Sequence, residues 1–456
     1  MSEAVDVVVV GLGPGGEDLA GSLAEAGLKV VGIEKSLVGG ECPYWGCVPS
    51  KMMIRAADML AEARRVPGHA GATTVTPNWA PVARRIRDEA TDNWNDKVAV
   101  DRFVGKGGHF VRGAGRLVGP GEVAVGERTF RASKAVVLAT GTSAAIPPID
   151  GLASVRYWTN HEAIEVETLP GSLTVLGGGA IGVELAQVFT RFGVRATIVE
   201  AADRILPMEE PEAGDTVAKV LRSEGVEILT GTAVTAVGQD GEKIVAEVGG
   251  RRVAAERLLV ATGRRANLEG LGLEHAGVDP KARFIPVDEH LRVAPGVWAI
   301  GDVTGKGLFT HIAMYQSRIA TADILGKTDE VADYRSLPRV TFADPEVGAA
   351  GLTEAQARER GIAVRIGMTQ VPSTARGWIH GFGNDGFIKL VEDAGRGILV
   401  GATSCGPAGG EVLSMLALAI HAQVTTRALR QMIYAYPTFH RGVEDALRDL
   451  AENKPA

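Results

Sequence analysis

One unit occurs twice in this chain with a single spacing: a strand, a glycine-rich turn, a helix, a second strand and a closing acid. Val5-Asp6-Val7-Val8-Val9-Val10 is a continuous apolar run, the pattern of a parallel strand covered on both faces. Gly11-Leu12-Gly13-Pro14-Gly15-Gly16 follows, then a helix-like segment from Glu17 to Ala26 and a second apolar run, Lys29 to Ile33, ending in Glu34. Leu173-Thr174-Val175-Leu176 leads in the same way into Gly177-Gly178-Gly179-Ala180-Ile181-Gly182, a helix from Val183 to Phe192, and a run from Val194 to Val199 closed by Glu200. First glycine to acid is 23 positions in both copies, 11 to 34 and 177 to 200. The glycines of such a turn let the backbone approach a pyrophosphate at a helix N-terminus, and the acid accepts hydrogen bonds from a ribose diol. Gly11, Gly13, Gly16 and Glu34 are the candidate contacts of the first copy, and Gly177, Gly179, Gly182 and Glu200 those of the second. One copy alone is weak evidence; two with equal spacing predict two dinucleotide sites on parallel sheets. An Ala-Thr-Gly closes each unit after an apolar strand, at Ala139-Thr140-Gly141 and Ala261-Thr262-Gly263, which adds Thr140, Gly141 and Gly263 to the candidates.

Reactive chemistry is concentrated just after the first unit, in Gly39-Gly40-Glu41-Cys42-Pro43-Tyr44-Trp45-Gly46-Cys47-Val48-Pro49-Ser50-Lys51. Two cysteines five positions apart are too far for one helical turn. The spacing suits a kink from a loop into a helix, opened by Pro49-Ser50-Lys51, where two sulfurs can meet. A helix N-terminus and Lys51 would both favour a thiolate on Cys47, and thiolate is the reactive form. The nearest histidine is His69, so a zinc site lacks ligands here and no metal site is expected. The bland alternative is a pair of unrelated buried cysteines. With a dithiol beside the first nucleotide unit, FAD and a nicotinamide nucleotide are the natural pair of cofactors.

Composition narrows the class. A chain of 456 residues is too long for one ordinary core. A net charge of −7 without a visible basic stripe argues against a nucleic-acid partner. Three cysteines in this length suit a reducing compartment, in which a disulfide is transient and catalytic. Residues 1–6 carry no positive region before the apolar run, which is too short for a signal peptide core. No apolar run reaches membrane-spanning length; Val412 to Ala422 comes nearest and reads as a buried helix. The expectation is a cytoplasmic protein with no membrane partner.

The motif G-G-x-C-x-x-x-G-C-x-P-S-K resembles the redox-active disulfide of the FAD-dependent pyridine nucleotide–disulfide oxidoreductases, among them dihydrolipoamide dehydrogenase, glutathione reductase and mercuric reductase. Pro43-Tyr44-Trp45 departs from the Asn-Val pair more usual inside it. The resemblance extends along nearly the whole chain. Val297-Trp298-Ala299-Ile300-Gly301-Asp302 resembles the second FAD signature, whose aspartate binds the ribityl chain, and Thr310-His311-Ile312-Ala313 follows it. Without the resemblance Asp302 is a turn residue after a strand. Arg339 to Gly348 resembles the opening of the dimerisation domain; Gly386–Val391 and Ile398–Ala402 resemble its antiparallel strands, and Gly409 starts its long apolar helix through His421. Cys405 is expected in the loop before that helix as a structural thiol.

The resemblance implies an α/β fold: two Rossmann-like dinucleotide-binding domains, for FAD and NAD, plus a C-terminal α+β dimerisation domain. The expected divisions are an FAD domain at 1–148 and 268–334, an NAD(P) domain at 149–267, and a dimerisation domain at 335–456. It implies FAD in the first unit, with Gly40, Lys51, Gly115 and Ala313 as further contacts, and NAD(P)H in the second. Cys42 and Cys47 would form the redox disulfide, Cys47 next to the flavin and Cys42 attacking the acceptor. Lys51 would lie near the flavin, paired with Glu184; a surface lysine is the plain alternative. Glu200 suits a free 2′-hydroxyl and repels a 2′-phosphate, so NADH is favoured over NADPH. Arg204 could soften that preference or be a solvated charge.

The pattern breaks near the end. Where the family has His-Pro-Thr-x-x-Glu, a base that reaches the partner's disulfide and its orienting acid, this chain has Tyr436-Pro437-Thr438-Phe439-His440-Arg441. A phenol of pKa roughly 10 is a weak base at neutral pH. His440 is either a relocated acid–base group or an interface or capping residue, and Pro437 predicts a helix starting there. Mercuric reductases also carry tyrosine at the histidine position, with a vicinal cysteine pair near the C-terminus that Glu452-Asn453-Lys454-Pro455-Ala456 does not have. Soluble transhydrogenases place a tyrosine before Pro-Thr but typically lack one disulfide cysteine. The expected function is a homodimeric NADH-dependent enzyme, its active site shared across the interface, reducing a disulfide or related small acceptor. The alternatives are a quinone reductase or diaphorase, a metal-ion reductase, or a redox sensor without turnover.

Overall fold

The computed structural model describes residues 2–327 and 329–453; the chain end Lys454–Ala456 lies outside them. The chain divides into two compact units, residues 1–50, 83–145 and 264–333 in one, and 51–82, 146–263 and 334–456 in the other.

The first unit is built on the strand Glu3–Val10. It pairs in parallel with Val30–Glu34 on one side and with Arg128–Leu138 on the other. His109–Arg112 and Val297–Ala299 extend the parallel sheet at its two ends, and Arg292–Ala294 adds an antiparallel edge. Alternate side chains of the central strand feed separate cores: Val8 and Val10 pack with Ile33, Val136 and Leu138, whereas Val7 and Val9 pack with Leu19, Leu23 and Ile319. A strand buried on both faces has no place for an alternating polar residue, which is why residues 7–10 are all valine.

The second unit contains a four-stranded parallel sheet in the order Glu227–Leu229, Arg195–Val199, Ser172–Leu176, Arg257–Val260. It also holds a three-stranded antiparallel meander over 234–255 and a five-stranded antiparallel sheet over 338–406. The helices Gly409–His421 and Gly442–Glu452 cover that last sheet through Leu416, Ile420, Val443 and Leu447 packed on Leu390 and Ala402. The fold class expected from the sequence is the one observed: mixed α/β, two nucleotide-type parallel sheets and an α+β segment.

Several local expectations need correction. The helices after the glycine turns start earlier, at Pro14–Glu25 and Ala180–Arg191, because the last glycine of each turn lies inside the first helical turn. Proline at the start of the first costs nothing, since its missing N–H would be unpaired there. The helix after the cysteine motif is Cys47–Arg65, so it opens at the cysteine rather than at Pro49. Cys405 is not in a loop. It lies on the strand Ile398–Gly406, paired with Val347 and Phe387, and burial pushes its thiol up to about 12. No helix begins at Pro437; the last helix starts at Gly442, and Tyr436 and His440 stand in the turns before it. Among the described residues, no helix is long and apolar enough to cross a membrane.

Candidate functional site

The two glycine turns repeat each other atom by atom. Gly11 has φ +97°, and a Cβ there would lie 2.4 Å from the Ala139 carbonyl oxygen; Gly177 has φ +109°, and its Cβ would lie 2.4 Å from the Ala261 oxygen. A Cβ on Gly16 would meet the Gly11 oxygen at 2.1 Å, and one on Gly182 would meet the Gly177 oxygen at the same distance. The first glycine is therefore fixed by the chain's own return strand, and the last by close packing of helix on turn. Gly13 and Gly179 differ: nothing lies within 4 Å of a Cβ at either position. The open side of the turn is where a phosphate can approach the backbone.

The two acids are also held alike. Glu34 Oε2 accepts from the Leu12 amide (2.8 Å) and Oε1 from Ser36 (2.7 Å). Glu200 Oε2 accepts from Gly178 (2.7 Å) and Oε1 from Ala202 (2.8 Å). Each carboxylate is thus aligned beside its own glycine loop before any ribose is present. Arg204 Nη2 donates to the carbonyls of Pro207 (3.1 Å) and Glu209 (3.2 Å). Gly263, at φ +121°, has open space on its Cβ side.

In the first unit a cavity of about 730 Å³ opens beside the turn, lined by Glu34, Gly113, Gly115, Arg116, Thr140 and Phe284, among others. A Cβ on Gly115 would stand 3.1 Å from Val10, and one on Gly40 (φ +66°) would stand 2.8 Å from the Gly13 Cα. Gly141 follows Thr140 at φ +65°. Ala313 lies in the helix Thr310–Ile324, its carbonyl pressed against Gly15. A dinucleotide fits this cradle: backbone exposed for the phosphates, a carboxylate for the ribose, and room for the adenosine end.

Asp302 is deeper. Its Oδ2 accepts from the Thr142 hydroxyl (2.6 Å), and burial raises its pKa against the pull of Thr142 and Arg264. Arg264 donates from Nε to Thr142 Oγ1 (2.7 Å) and from Nη2 to the Thr142 carbonyl (2.7 Å), and its Nη2 lies 3.3 Å from Glu41. Thr142, Arg264 and Glu41 were not among the sequence candidates; no spacing rule marks them, since each reaches its partner across the fold.

Cys42 and Cys47 are both in the thiol form. Cys42 sits in the short helix Glu41–Tyr44, and Trp45-Gly46 carries the chain into Cys47 at the head of the next helix. The hydrogen bond to the Cys47 side chain, and then burial, raise the Cys42 thiol far above the ordinary range. The Cys42 proton is therefore held more tightly than that of an ordinary thiol. Cys47 Sγ also stands 3.3 Å from Thr310 Oγ1, a neighbour missed as a site residue although its segment was singled out.

In the second unit Lys51 Nζ bonds Glu184 Oε2 at 3.0 Å and lies 4.6 Å from the centre of the Phe342 ring. The other Glu184 oxygen accepts from the Phe342 amide (2.8 Å), so a nearly buried carboxylate is fully used in holding one half-exposed ammonium. Tyr436 is 69% exposed with the Arg441 guanidinium 5.3 Å from its ring centre. Arg441 pairs with Glu444 at 3.0 Å. His440 Nε2 is 3.4 Å from Thr438 Oγ1. Among the described residues, no group of three or more His, Cys, Asp or Glu could hold a metal ion.

The chain matches the family described as pyridine nucleotide-disulphide oxidoreductase over residues 5–322, and that family's dimerisation domain over residues 337–447. It is 34% identical to a dihydrolipoyl dehydrogenase of Zymomonas mobilis, across 98% of each chain. It is 33% identical to a mercuric reductase of Acidithiobacillus ferrooxidans, across 99% of this chain and 83% of that one. Among solved structures it is similar to the Cu(II) complex of RclA, an HOCl-induced flavoprotein disulfide reductase from Escherichia coli, with a TM-score of 0.86 and 26% identity over 98% of this chain and 99% of that one. Paired glycine turns, a dithiol and a dimerisation segment in one polypeptide agree with these matches: the chain belongs to the pyridine nucleotide-disulphide oxidoreductases, enzymes that use FAD and NAD(P)H.

Proposed function

We propose that this protein is a homodimeric NADH-dependent reductase that passes electrons through Cys42 and Cys47 to a small acceptor. The observation that carries the reading is the thiol pair itself: Cys42 and Cys47 are hydrogen-bonded to each other, and Cys47, at the head of a helix, stands with Sγ 3.3 Å from Thr310 Oγ1. FAD bound in the first unit supplies two-electron exchange between a nicotinamide and the dithiol. Gly11, Gly13 and Gly16 would receive its pyrophosphate, Glu34 a ribose, and Asp302, fixed by Thr142, the ribityl chain. Lys51, clamped by Glu184, would stand as the fixed cation of the flavin site. With an acceptor disulfide, the Cys42 sulfur attacks one acceptor sulfur and expels the other, which takes up the Cys42 proton and leaves as a thiol. The Cys47 sulfur then attacks Cys42 and expels the second, so two electrons leave the pair and one S–S bond is exchanged for another. Such cycling suits a reducing compartment, the cytoplasm by default. Met432, Ile433 and Tyr436, exposed within the dimerisation segment, are the surface we assign to the partner subunit.

Glu200 favours NADH. A 2′-phosphate beside it costs on the order of 1–3 kcal/mol, roughly ten- to a hundredfold in efficiency, and Arg204 is occupied elsewhere. Comparable kcat/KM for NADPH would overturn this preference.

The acceptor class follows from what the Cys42 proton needs. Its thiol is raised, and the position of the family's base holds Tyr436, so acceptors that take no proton from this position are favoured: metal ions such as the Cu(II) of the RclA complex, or a quinone that draws its two protons from solvent. NADH oxidation with lipoamide, a low-molecular-weight disulfide, a quinone and Cu(II), repeated with Cys42→Ser, separates the readings. Disulfide reduction through the pair should fall more than about a hundredfold in the variant. Unchanged turnover with every acceptor would remove Cys42 from the route and leave a diaphorase.

A further inference from the structure

The helix Cys47–Arg65 and the helix Ala180–Arg191 are joined by two ion pairs of equal spacing. Lys51 meets Glu184 at 3.0 Å, and seven residues further along both helices Asp58 meets Arg191 at 2.6 Å. Seven residues are about two helical turns, so both pairs fall on one face of each helix. The charges are crossed, cation on the first helix in one pair and on the second in the other. A slide by one turn would break both bonds and place like charges closer together.

The second pair is much the more strongly anchored. Arg191 is 2% exposed, and its guanidinium also donates to Glu224 (2.6 Å) and Asp344 (2.6 Å). Asp344 bonds Arg65 as well, at 2.7 Å. The Asp344 amide donates to Gln187 Oε1 (2.8 Å), and Phe342, two residues before, gives its amide to Glu184. The cluster therefore reaches Glu184 by two routes, along its own helix and through the 342–344 turn.

We propose that Asp58 and Arg191 are positioning residues for Lys51: their ion pair fixes the register of the two helices and so holds the Lys51 ammonium on Glu184. The functional weight of this rests on the reading of Lys51 as the flavin-site cation; the positioning itself does not. A buried charge cluster that only added stability would have no effect on the chemistry of an amine two turns away.

The test is competitive labelling of the FAD-loaded protein with acetic anhydride, following Lys51 against Lys243, a strand residue remote from it in sequence, by peptide mass spectrometry. Asp58→Ala cuts the link and leaves Arg191 with Glu224 and Asp344, so the fold is retained. Lys51 labelling relative to Lys243 should rise at least threefold in Asp58→Ala and return toward the parent value in Asp58→Asn, which can still accept from Arg191. Should Asp58→Ala fail to fold, Arg191→Lys serves, with a rise expected from its loss of the forked contact. Unchanged Lys51 labelling in a folded variant overturns the proposal, whatever happens to its melting temperature. The flavin midpoint potential, measured on the same samples and on Lys51→Met, reports on the underlying reading separately. Labelling that moves while Lys51→Met leaves the potential untouched would keep the positioning and discard Lys51 as the flavin-site cation.

Discussion

At the scale of single residues, the two cysteines divide their work by environment. Cys42 is hydrogen-bonded to Cys47 and partly buried, and both effects oppose its ionisation. Cys47 opens a helix, where negative charge is favoured. The consequence is measurable in the reduced enzyme. Alkylation of Cys42 by iodoacetamide, followed by mass spectrometry, should be slow at pH 7 and keep rising with pH beyond the ordinary thiol value of about 8.5, without a plateau there. A plateau below that value would mean that another group takes the Cys42 proton. Glu34 and Glu200 make a second residue-scale point. Each carboxylate spends one oxygen on an amide of its glycine turn and the other on the amide two residues after itself, so its orientation is set by the chain's own backbone.

At the scale of elements, the glycines of one turn have different jobs. Gly11 is at positive φ and faces a carbonyl oxygen 2.4 Å from where a Cβ would stand, whereas Gly13 faces open space. Gly11→Ala should destabilise even the apoprotein, by about 1–3 kcal/mol of backbone strain before any clash is relieved. Gly13→Ala should leave apoprotein unfolding within about 0.5 kcal/mol of the parent while weakening FAD retention. Chemical denaturation of apoproteins, with flavin release by fluorescence, reads both; equal apoprotein losses would refute the division. The helix pair carries a pH dependence. Burial pushes Asp58 up to about 6, with Asp344 and Glu346 adding to it and Arg191 and Arg55 opposing. A carboxyl raised in the folded state holds its proton where the unfolded chain has lost it. That contribution is complete below the unfolded value and is lost as pH rises through about 6. Asp58 is 35% exposed, so screening reduces the effect to on the order of 1 kcal/mol. Relative to Asp58→Asn, the parent should lose that much unfolding free energy between about pH 4 and pH 7 in urea titrations; a gain over the same interval would reverse the sign.

At the scale of the whole molecule, the proposed dithiol chemistry has Tyr436 at the position where the family resemblance implies a base. A positioned histidine contributes about 10² to 10⁴ in proton transfer. Arg441 cannot orient Tyr436 as a carboxylate would; it lies on the ring face and pairs with Glu444. Steady-state dihydrolipoamide oxidation should therefore be weak beside quinone reduction. His440 stands in a turn 3.4 Å from Thr438 rather than on a helix, so it is not locked into another role by helical packing. Strong lipoamide turnover that survives His440→Ala would refute the missing-base argument, and turnover that collapses with His440→Ala would make His440 the relocated base.

The duplicated nucleotide units were legible in the chain because their chemistry is local. A glycine that must turn, a glycine that must pack and an acid 23 positions on lie within one strand–helix–strand, and the short-range sterics at Gly11 and Gly177 leave no other residue type. The cysteine motif was legible for the same reason, although the helix starts at Cys47 and not two residues later. Local cues failed where a side chain's partner lies elsewhere in the sequence. Thr142 fixes Asp302 across 160 positions, and Arg191 meets Asp58 across 133. Cys405 read as a loop residue because Gly406-Pro407 follow it, yet pairing with Val347 and Phe387 draws it into a buried strand. Hydrogen bonds and ion pairs act over a few ångströms in space and leave no periodicity along the chain. The turns and the Lys51–Glu184 pair were therefore legible in the sequence, and the contacts of Asp302 with Thr142, of Cys47 with Thr310 and of Glu184 with the Phe342 amide were decided by tertiary structure alone.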